Sequence, residues 1–263
     1  MHNPPPPVWS HGGVSPARRT GPEPRRALGP AARERRRRAS HSLESVLTEA
    51  VALLDEAGEP ALTFRALAAR LGGGVASIYW YVSSKDELLD RAADHVLADV
   101  LAALEGVGDH HGEDGGDPVD DVRTIGVTLF DHIVDRPWLG AYFLRDSGVQ
   151  PNSMRLYELI GQQVLRLHLS PQQSFHAVSA VVGFVVGTAA DMGQVPPEEV
   201  TSGQMTREEY LADAVEGWRS LDPAEYPFVH HVIDQFATHD DAEQFRAGLD
   251  LLLAGLRLQA DGQ

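Results

Sequence analysis

The chain has 263 residues, of which 43% are hydrophobic, a length that suits one small module and one larger domain. It has no cysteine, which excludes disulfides and thiolate metal sites, and its net charge of −16 argues against nucleic-acid binding if the charge is evenly spread. No apolar run of signal-peptide length occurs near the start, and the most apolar segment, residues 177–190, is too short for a bilayer, so we expect a cytoplasmic protein without membrane contact.

The charge is unevenly spread, because residues 1–40 are rich in proline, glycine and arginine. They hold nine arginines against two glutamates, a net charge of +7, which leaves −23 on the rest of the chain. This composition cannot bury enough apolar surface to fold alone, so we expect a disordered basic arm. We expect the run that abuts the first helix to contact DNA phosphates and the minor groove: Arg35, Arg36, Arg37 and Arg38. The alternative is a solvated tail.

Residues 41–88 predict short helices separated by turns. The first runs from His41 to Ala57, and Gly58 ends it. The second opens at Thr63, whose hydroxyl can cap a helix, and it stops at the glycines that follow Leu71. A very short third helix is predicted for 75–81, and Ser83 or Ser84 precedes a fourth that begins at Lys85. Two helices joined by a tight turn form a helix-turn-helix unit, whose second helix enters the major groove.

Many positions of this segment agree in order and spacing with one known family. They are the Thr63-x-Arg65 opening, the Leu67-Ala68 and Leu71-Gly72 pairs, Tyr79, and an aromatic-x-x-x-Lys spacing that ends at Lys85. The segment resembles the DNA-binding domain of the TetR family of bacterial repressors. It departs from that family at Gly73 and Gly74, where a branched and a small polar residue are usual, and at Tyr81, where histidine is common. The alternative is an ordinary helical protein with a glycine turn.

The resemblance implies DNA contacts from the start of the second helix, the recognition helix 75–81 and the start of the fourth helix. The candidates are Thr63, Arg65, Gly74, Val75, Ala76, Ser77, Tyr79, Trp80, Tyr81 and Lys85. Arginine can bind guanine O6 and N7 together, and tyrosine hydroxyls and a lysine ammonium suit phosphates. The alternatives are an ion pair between Arg65 and an acid such as Glu59, and core packing of Tyr79 and Trp80.

Residues 89–259 predict a helical core. After the helix from Lys85 to about Leu104, a loop is predicted for 106–118, where His110 and His111 lie in a solvated segment rather than a metal site. The further predicted helices are Val119–Val134, Pro137–Arg145, Asn152–Leu167, Pro171–Met192, Thr206–Ser220, Tyr226–Ala237 and Asp240–Leu258. The fold class is therefore all-α, with an N-terminal three-helix helix-turn-helix domain and a C-terminal helical domain.

The C-terminal pattern also resembles the core domain of tetracycline-repressor-type regulators, in RPWLGAYF (136–143), LSPQQSFHAV (169–178) and the closing FRAGLDLLLAGLRLQ. The helices near 171–192 and 240–258 are apolar on more than one side, and Gly183 and Gly187 lie four apart. A wide apolar face indicates burial by a second chain, so we expect a four-helix homodimer interface. The alternative is that these helices are internal.

A small-molecule pocket is expected within this core. The candidates that could line it are His95, Phe130, His132, Trp138, Tyr142, Phe143, Tyr157, Gln162, Phe175 and His176. No G-x-S-x-G, P-loop or H-E-x-x-H motif occurs, so the sequence predicts neither an enzyme nor a cofactor.

The family resemblance implies a ligand-responsive repressor that binds a palindromic double-stranded DNA operator as a homodimer. A small hydrophobic or aromatic effector would release it by tilting the helix after Lys85. The alternatives are a related activator, a regulator that binds no ligand, and a structural helical dimer that never contacts DNA.

Overall fold

The computed structural model describes residues 41–108, 116–145, 149–194 and 197–262. The basic arm of residues 1–40 and the pair His110–His111 lie outside these residues. In the part that is described the fold is all-α, with twelve helices and no strand, which confirms the predicted class. The helices are α1 (Leu43–Ala61), α2 (Phe64–Leu71), α3 (Val75–Ile78), α4 (Lys85–Ala103), α5 (Pro118–Val134), α6 (Pro137–Arg145), α7 (Pro151–Leu165), α8 (Pro171–Met192), α9 (Glu198–Thr201), α10 (Arg207–Arg219), α11 (Pro227–Thr238) and α12 (Asp241–Asp261).

The helices begin where short hydroxyl side chains can satisfy their first N–H groups. The hydroxyls of Ser42, Thr63 and Ser84 each accept a hydrogen bond from the backbone N–H three residues on, at the starts of α1, α2 and α4. At α8, Ser170 and Gln173 form a reciprocal capping box, and Pro171 occupies the first helical position. These local signals explain why the sequence predicted most helix starts to within a residue.

The ends of α1, α3 and α12 differ most from the predicted ones, by three or four residues. The helix α1 continues to Ala61, but Gly58 interrupts its helical geometry with φ 68° and ψ −179°, a conformation open to glycine and strained for other residues. The helix α3 ends at Ile78 rather than at Tyr81, because the N–H groups of Tyr81 and Val82 both donate to the Ile78 carbonyl and close a turn. The four-residue α9 was not predicted.

The helix α4 joins the first three helices to the rest of the described fold. It packs against α1 on one side and against α5 and α7 on the other, and Leu88, Ala92, Val96 and Val100 are fully buried along it. The helix α6 makes a second connection. Its Trp138 indole N–H donates to the Asp55 carboxylate of α1 at 2.6 Å, and its Arg145 donates to Glu59 at 2.5 Å. The helix-turn-helix is therefore held to the core by two elements.

The helix α8 lies at the centre of the core and packs against α5, α6, α7 and α12. With 22 residues it is long and apolar enough, by length and composition alone, to cross a membrane. The expectation that the apolar segment is too short for a bilayer was made for residues 177–190 alone, and the helix extends well beyond them. Its contacts with four neighbouring helices favour a role as a bundle helix.

The helices α10 and α11 pack mainly on each other. The Trp218 ring stacks on Phe236 with centroids 4.5 Å apart, and Arg219 pairs with Asp234 at 2.7 Å. This pair connects the end of the central helix α8 with the start of α12.

Candidate DNA interface and effector cavity

The turn between α2 and α3 is fixed by backbone contacts and by one aromatic pair. Gly72 closes α2 in the left-handed conformation at φ 68°, and its N–H donates to the carbonyl of Ala69 at 3.2 Å. The ring of Tyr79 packs edge-on against Phe64 of α2, with centroids 4.8 Å apart. These contacts fix the position of the short α3 on the surface of the fold.

Several of the candidate DNA-contacting side chains project from this surface. Trp80 is 87% exposed and Tyr79 is 58% exposed. The alternative that these side chains pack in the core is therefore wrong for Trp80 and holds for only part of the Tyr79 side chain. Ala76 is exposed, as are Gly74, Thr63 and Arg65. Arg65 makes no ion pair with any residue that the structure describes, so the alternative of a pair with Glu59 is also wrong.

Other candidates are already engaged within the fold. The Tyr81 hydroxyl donates to the His41 carbonyl, and Tyr81 and Val75 are half-buried, although both were expected to contact DNA. The Ser77 hydroxyl donates to the Gly74 carbonyl at 2.6 Å. The ammonium of Lys85 donates to the Glu59 carbonyl at 2.9 Å. The polar groups of Tyr81, Ser77 and Lys85 can each form a further hydrogen bond, but contacts within the protein fix their positions.

The charge of this surface is unusual for a DNA-binding module. Residues 41–88 contain three basic and seven acidic side chains, a net charge of −4. Arg70 pairs with Glu56 at 2.6 Å and with Glu49 at 3.0 Å, and these bonds raise its pKa. Lys85 lies 4.0 Å from the Glu59 carboxylate. Arg65 is thus the only cation of this segment without an acidic partner among the described residues.

An apolar cavity of about 510 Å³ lies between α4, α5, α6, α7 and α8. Its lining includes three of the candidate ligand-contacting residues, Tyr142, Phe143 and Tyr157. None of the described residues that line it carries a charge. Its polar atoms belong to the two tyrosines and to Ser153 and Ser179. The remaining apolar lining residues, which the sequence did not suggest as ligand contacts, are Leu97, Leu129, Met154, Leu156, Ile160, Val182, Gly183 and Val186.

The other seven candidates lie outside this cavity, and most have a structural partner. Phe130 is buried and stacks on Phe245, the Trp138 indole bonds to Asp55, and the His132 Nδ1 lies 2.8 Å from the Thr128 carbonyl. His95 lies 3.5 Å from the Thr48 hydroxyl, and Gln162 donates to Glu158 on the surface. Phe175 and His176 are exposed near the start of α8. The presence of an aromatic side chain therefore did not distinguish residues that line the cavity from residues in the core.

The cavity wall is hydrogen-bonded directly to α4 at two places. The Tyr142 hydroxyl donates to Asp90 at 3.0 Å. The carboxylate of Asp94 accepts from the backbone N–H of Asn152 at 2.8 Å and of Ser153 at 3.2 Å, at the start of α7. Gln150, the residue before α7, offers no side-chain cap, so Asp94 supplies one from the neighbouring helix. A change in the cavity can therefore reach α4.

One face of α8 and α12 is apolar and open to solvent. Leu251 is 77% exposed and Leu258 is 73% exposed. A Cβ added at Gly187 or Gly255 would meet nothing within 4 Å. Between the helices lies a groove of about 300 Å³ that His176, Ala180, Leu252 and Gly255 help to line. Small residues beside exposed leucines are typical of a surface that another helix approaches closely.

An all-α chain with an exposed helix-turn-helix and an apolar cavity in the helical core behind it defines a helix-turn-helix transcriptional regulator. Two known families match the chain. Bacterial regulatory proteins of the tetR family match residues 46–92, and the tetracyclin repressor-like C-terminal domain matches residues 112–260. The chain therefore belongs to the TetR family. Regulators of this family bind DNA and small-molecule effectors and act as dimers, and they are not enzymes.

Similar proteins include an HTH-type transcriptional regulator from Saccharopolyspora erythraea. It is 29% identical over 147 residues, which span 56% of this chain and 59% of that protein. An HTH-type transcriptional repressor from Mycobacterium tuberculosis is 26% identical over 85% of this chain and 83% of its own length.

Two solved structures from Streptomyces coelicolor are also similar. A TetR transcriptional regulator is 34% identical, covers 82% of this chain and 98% of its own, and has a TM-score of 0.68. ActR in complex with actinorhodin is 23% identical over 84% of this chain and 99% of its own, with a TM-score of 0.69, and it supports the fold alone.

Proposed function

We propose that the protein is a ligand-responsive transcriptional repressor that binds a palindromic operator as a homodimer and leaves it when an uncharged hydrophobic effector enters the cavity. Residues 41–88 form the DNA-reading unit, residues 89–259 form the effector-binding and dimerisation core, and the basic arm of residues 1–40 assists on DNA. The observation that carries this proposal is Trp80, which lies just after α3 and is 87% exposed.

The DNA contacts come from side chains that the fold leaves exposed. Arg65 offers a cation at the start of α2 that pairs with no acid among the described residues, and Trp80 and Tyr79 provide exposed aromatic surface. Lys85 and Tyr81 stand at the edge of this surface and add polar groups toward phosphates. The run Arg35–Arg38 supplies the positive charge that residues 41–88 lack, because phosphate binding needs cations.

The homodimer forms through α8 and α12. Their exposed leucines and open glycines give two copies a self-complementary apolar face, as a two-fold interface requires. Two recognition helices related by this axis would read two half-sites about one turn of DNA apart. A palindromic operator follows from that symmetry.

The effector is uncharged in the part that enters the cavity, because no described lining residue could compensate a buried charge. A cavity of about 510 Å³ suits a drug-sized molecule with aromatic or aliphatic rings. The hydroxyls of Ser153, Tyr157 and Ser179 can orient its carbonyl or hydroxyl groups. ActR, which has a similar fold, has been solved in complex with actinorhodin.

Selection of bound sequences from a pool of random duplexes tests the DNA claim. We expect enrichment of a palindrome, and Arg65→Ala should weaken binding to it by about five- to 150-fold, the range expected for a guanine contact of 1–3 kcal/mol. Arg155→Ala is the matched control, since Arg155 lies on α7 and bonds only to Asn152 among the described residues. A pool without enrichment would favour a structural dimer that never contacts DNA.

Binding of Nile red, a neutral flat dye, tests the cavity. The dye should fluoresce with the wild-type protein and lose its signal with Ser179→Trp, which places a large side chain in the cavity lining. Leu144→Trp, on the exposed face of α6 outside the cavity, should retain the signal. If no neutral ligand releases the bound DNA, the protein is better described as a regulator that does not respond to ligands. Transcription from a template that carries the selected site separates repressor from activator.

A further inference from the structure

The carboxylate of Glu59 lies between two cations that belong to different helices. Arg145, the last residue of α6, donates to its Oε2 at 2.5 Å. The ammonium of Lys85, the first residue of α4, lies 4.0 Å from its Oε1. All three side chains are partly exposed, so each can change its partner without opening the core.

The two cations do not share the carboxylate equally. A hydrogen bond between an ammonium and a carboxylate is about 2.7–2.9 Å long, so the Lys85 contact is about 1 Å too long for one. The hydrogen bond from Arg145 is the main cause of the lowered pKa of Glu59, and the charge of Lys85 contributes least. Arg145 therefore holds the carboxylate, and Lys85 has no direct bond to it.

Lys85 is held beside this carboxylate by the backbone of the same residue. The Glu59 carbonyl accepts from the Lys85 ammonium at 2.9 Å and from the N–H of Leu62 at 3.1 Å. An ammonium carries three N–H donors, so two remain for other acceptors. A carbonyl is neutral, so this bond positions Lys85 without cancelling its charge.

The Glu59 carboxylate and a DNA phosphate are therefore rival acceptors for Lys85. While Arg145 holds the carboxylate, the two remaining donors of Lys85 are available to a phosphate. Without Arg145, a side-chain rotation that closes about 1 Å would join Glu59 to Lys85. Lys85 would then have to leave an ion pair before it could bind DNA, and the affinity would fall.

Arg145 moves with the helix that also lines the cavity. Its Nε donates to the carbonyl of Ala141, one turn earlier in α6, at 3.2 Å. Tyr142 and Phe143 of the same helix line the cavity. A shift of α6 would therefore carry the guanidinium of Arg145 with it and change the partner of Glu59.

We propose that Glu59 is an exchange residue, which pairs with Arg145 when Lys85 binds a DNA phosphate and pairs with Lys85 when α6 withdraws Arg145. Arg145 is thus a positioning residue for DNA binding, although it lies outside the DNA-reading unit. This inference rests on the proposed DNA-binding function and adds to it the contact through which α6 controls one phosphate-binding cation.

Double-mutant cycles in the full-length chain test the exchange. Arg145→Gln releases the carboxylate, Glu59→Gln removes its charge, and Lys85→Gln removes the ammonium. Binding to the selected operator duplex is measured by fluorescence anisotropy at several salt concentrations, and thermal melts confirm that each variant is folded. The loss of one phosphate contact should lower the slope of log affinity against log salt by about 0.9.

We expect Arg145→Gln to lower the affinity by up to about fivefold, the size of a partly exposed ion pair, and to lower the slope by at most about 0.9. The same change should have no further effect once Glu59 or Lys85 is glutamine. Arg155→Gln is the matched control, because it removes the same charge from a residue that bonds only to Asn152 among the described residues. It should bind DNA like the wild type.

An equal loss from Arg145→Gln in the Glu59→Gln or Lys85→Gln background would overturn the exchange, since Arg145 would then act through its own charge or through the docking of α6. Wild-type affinity in Arg145→Gln, or in Lys85→Gln, would overturn it as well. In each of these cases the wild-type protein still selects an operator. Failure of the proposed function is different, because the wild-type protein then selects no duplex at all.

Discussion

The hydroxyl of Tyr142 donates to the carboxylate of Asp90 at 3.0 Å, and this bond joins the wall of the cavity to the helix that carries the DNA-reading unit. Tyr142→Phe should keep the ring in place and break that link. In the wild type we expect Nile red to lower the affinity for the operator. In Tyr142→Phe this loss of affinity should be smaller, because a ligand in the cavity then shifts the position of α4 less. Phe143→Leu is the control, since it alters the lining and leaves the bond intact. A loss of affinity in Tyr142→Phe as large as in the wild type would show that coupling runs elsewhere.

A second prediction concerns the cap that α4 provides for α7. Asp94→Ala leaves the N–H groups of Asn152 and Ser153 without their acceptor, and a lost helix cap costs about 1 kcal/mol. The melting temperature should fall by about 2–4 °C in a chain of this size. Asp99→Ala, on an exposed position of the same helix, should melt like the wild type. Equal melting of both variants would mean that water replaces the Asp94 carboxylate without loss.

A third prediction concerns the apolar face of α8 and α12. Leu251→Glu places a charge at a position that is 77% exposed in one copy and buried in the proposed dimer. We expect sedimentation velocity at micromolar concentration to show a folded monomer, with weaker operator binding because two half-sites are no longer read together. Leu144→Glu, at a position that is 65% exposed on α6, should remain dimeric. A dimeric Leu251→Glu protein would place the interface on another surface.

A fourth prediction follows from the bond between Arg145 of α6 and Glu59 of α1. The hydrogen bond from Arg145 is the main cause of the lowered pKa of Glu59, whose ordinary value is 4.5. The unfolded chain therefore takes up a proton at higher pH than the folded chain does. The stabilisation of the folded state by the Arg145–Glu59 bond is complete above about pH 4.5. It is lost as the pH falls through the lowered pKa of Glu59 in the folded state.

Arg145→Gln should accordingly flatten the acid side of a plot of melting temperature against pH. The effect should stay below about 1 kcal/mol, because both side chains are partly exposed and solvent screens the pair. Arg246→Gln, which removes an exposed arginine of α12 that pairs with no described residue, is the control. An unchanged acid limb in Arg145→Gln would assign the acid sensitivity to other carboxylates.

Much of the fold followed from local signals in the sequence. Serine and threonine caps, prolines at first helical positions and apolar periodicity located α2, α4, α6 and α8, because each signal acts within one or two turns of helix. The end of α3 was missed, since it depends on two N–H groups that share the Ile78 carbonyl. The amino-acid composition of the segment does not indicate such a turn.

The cavity was harder to predict than the fold. Tyr142 and Phe143 were found because they lie in a motif that resembles the family core, whereas Ser153 and Ser179 were missed because small hydroxyl residues are common on any helix surface. Phe130 and Trp138 were expected to face the ligand, but they fill the core and bond to α1. Which side of a helix faces the cavity is decided by the packing of five helices together, and sequence spacing alone does not contain that information.

Lys85, whose ammonium lies 2.9 Å from the Glu59 carbonyl, is also the only lysine in the chain. A reagent that acylates primary amines can therefore modify just this side chain and the N-terminal amine, and the N-terminal amine can be blocked selectively at lower pH. A single dye attached at the first residue of α4 would sit where the DNA-reading unit meets the core. Its fluorescence would follow the tilt of that helix directly, without any engineered cysteine.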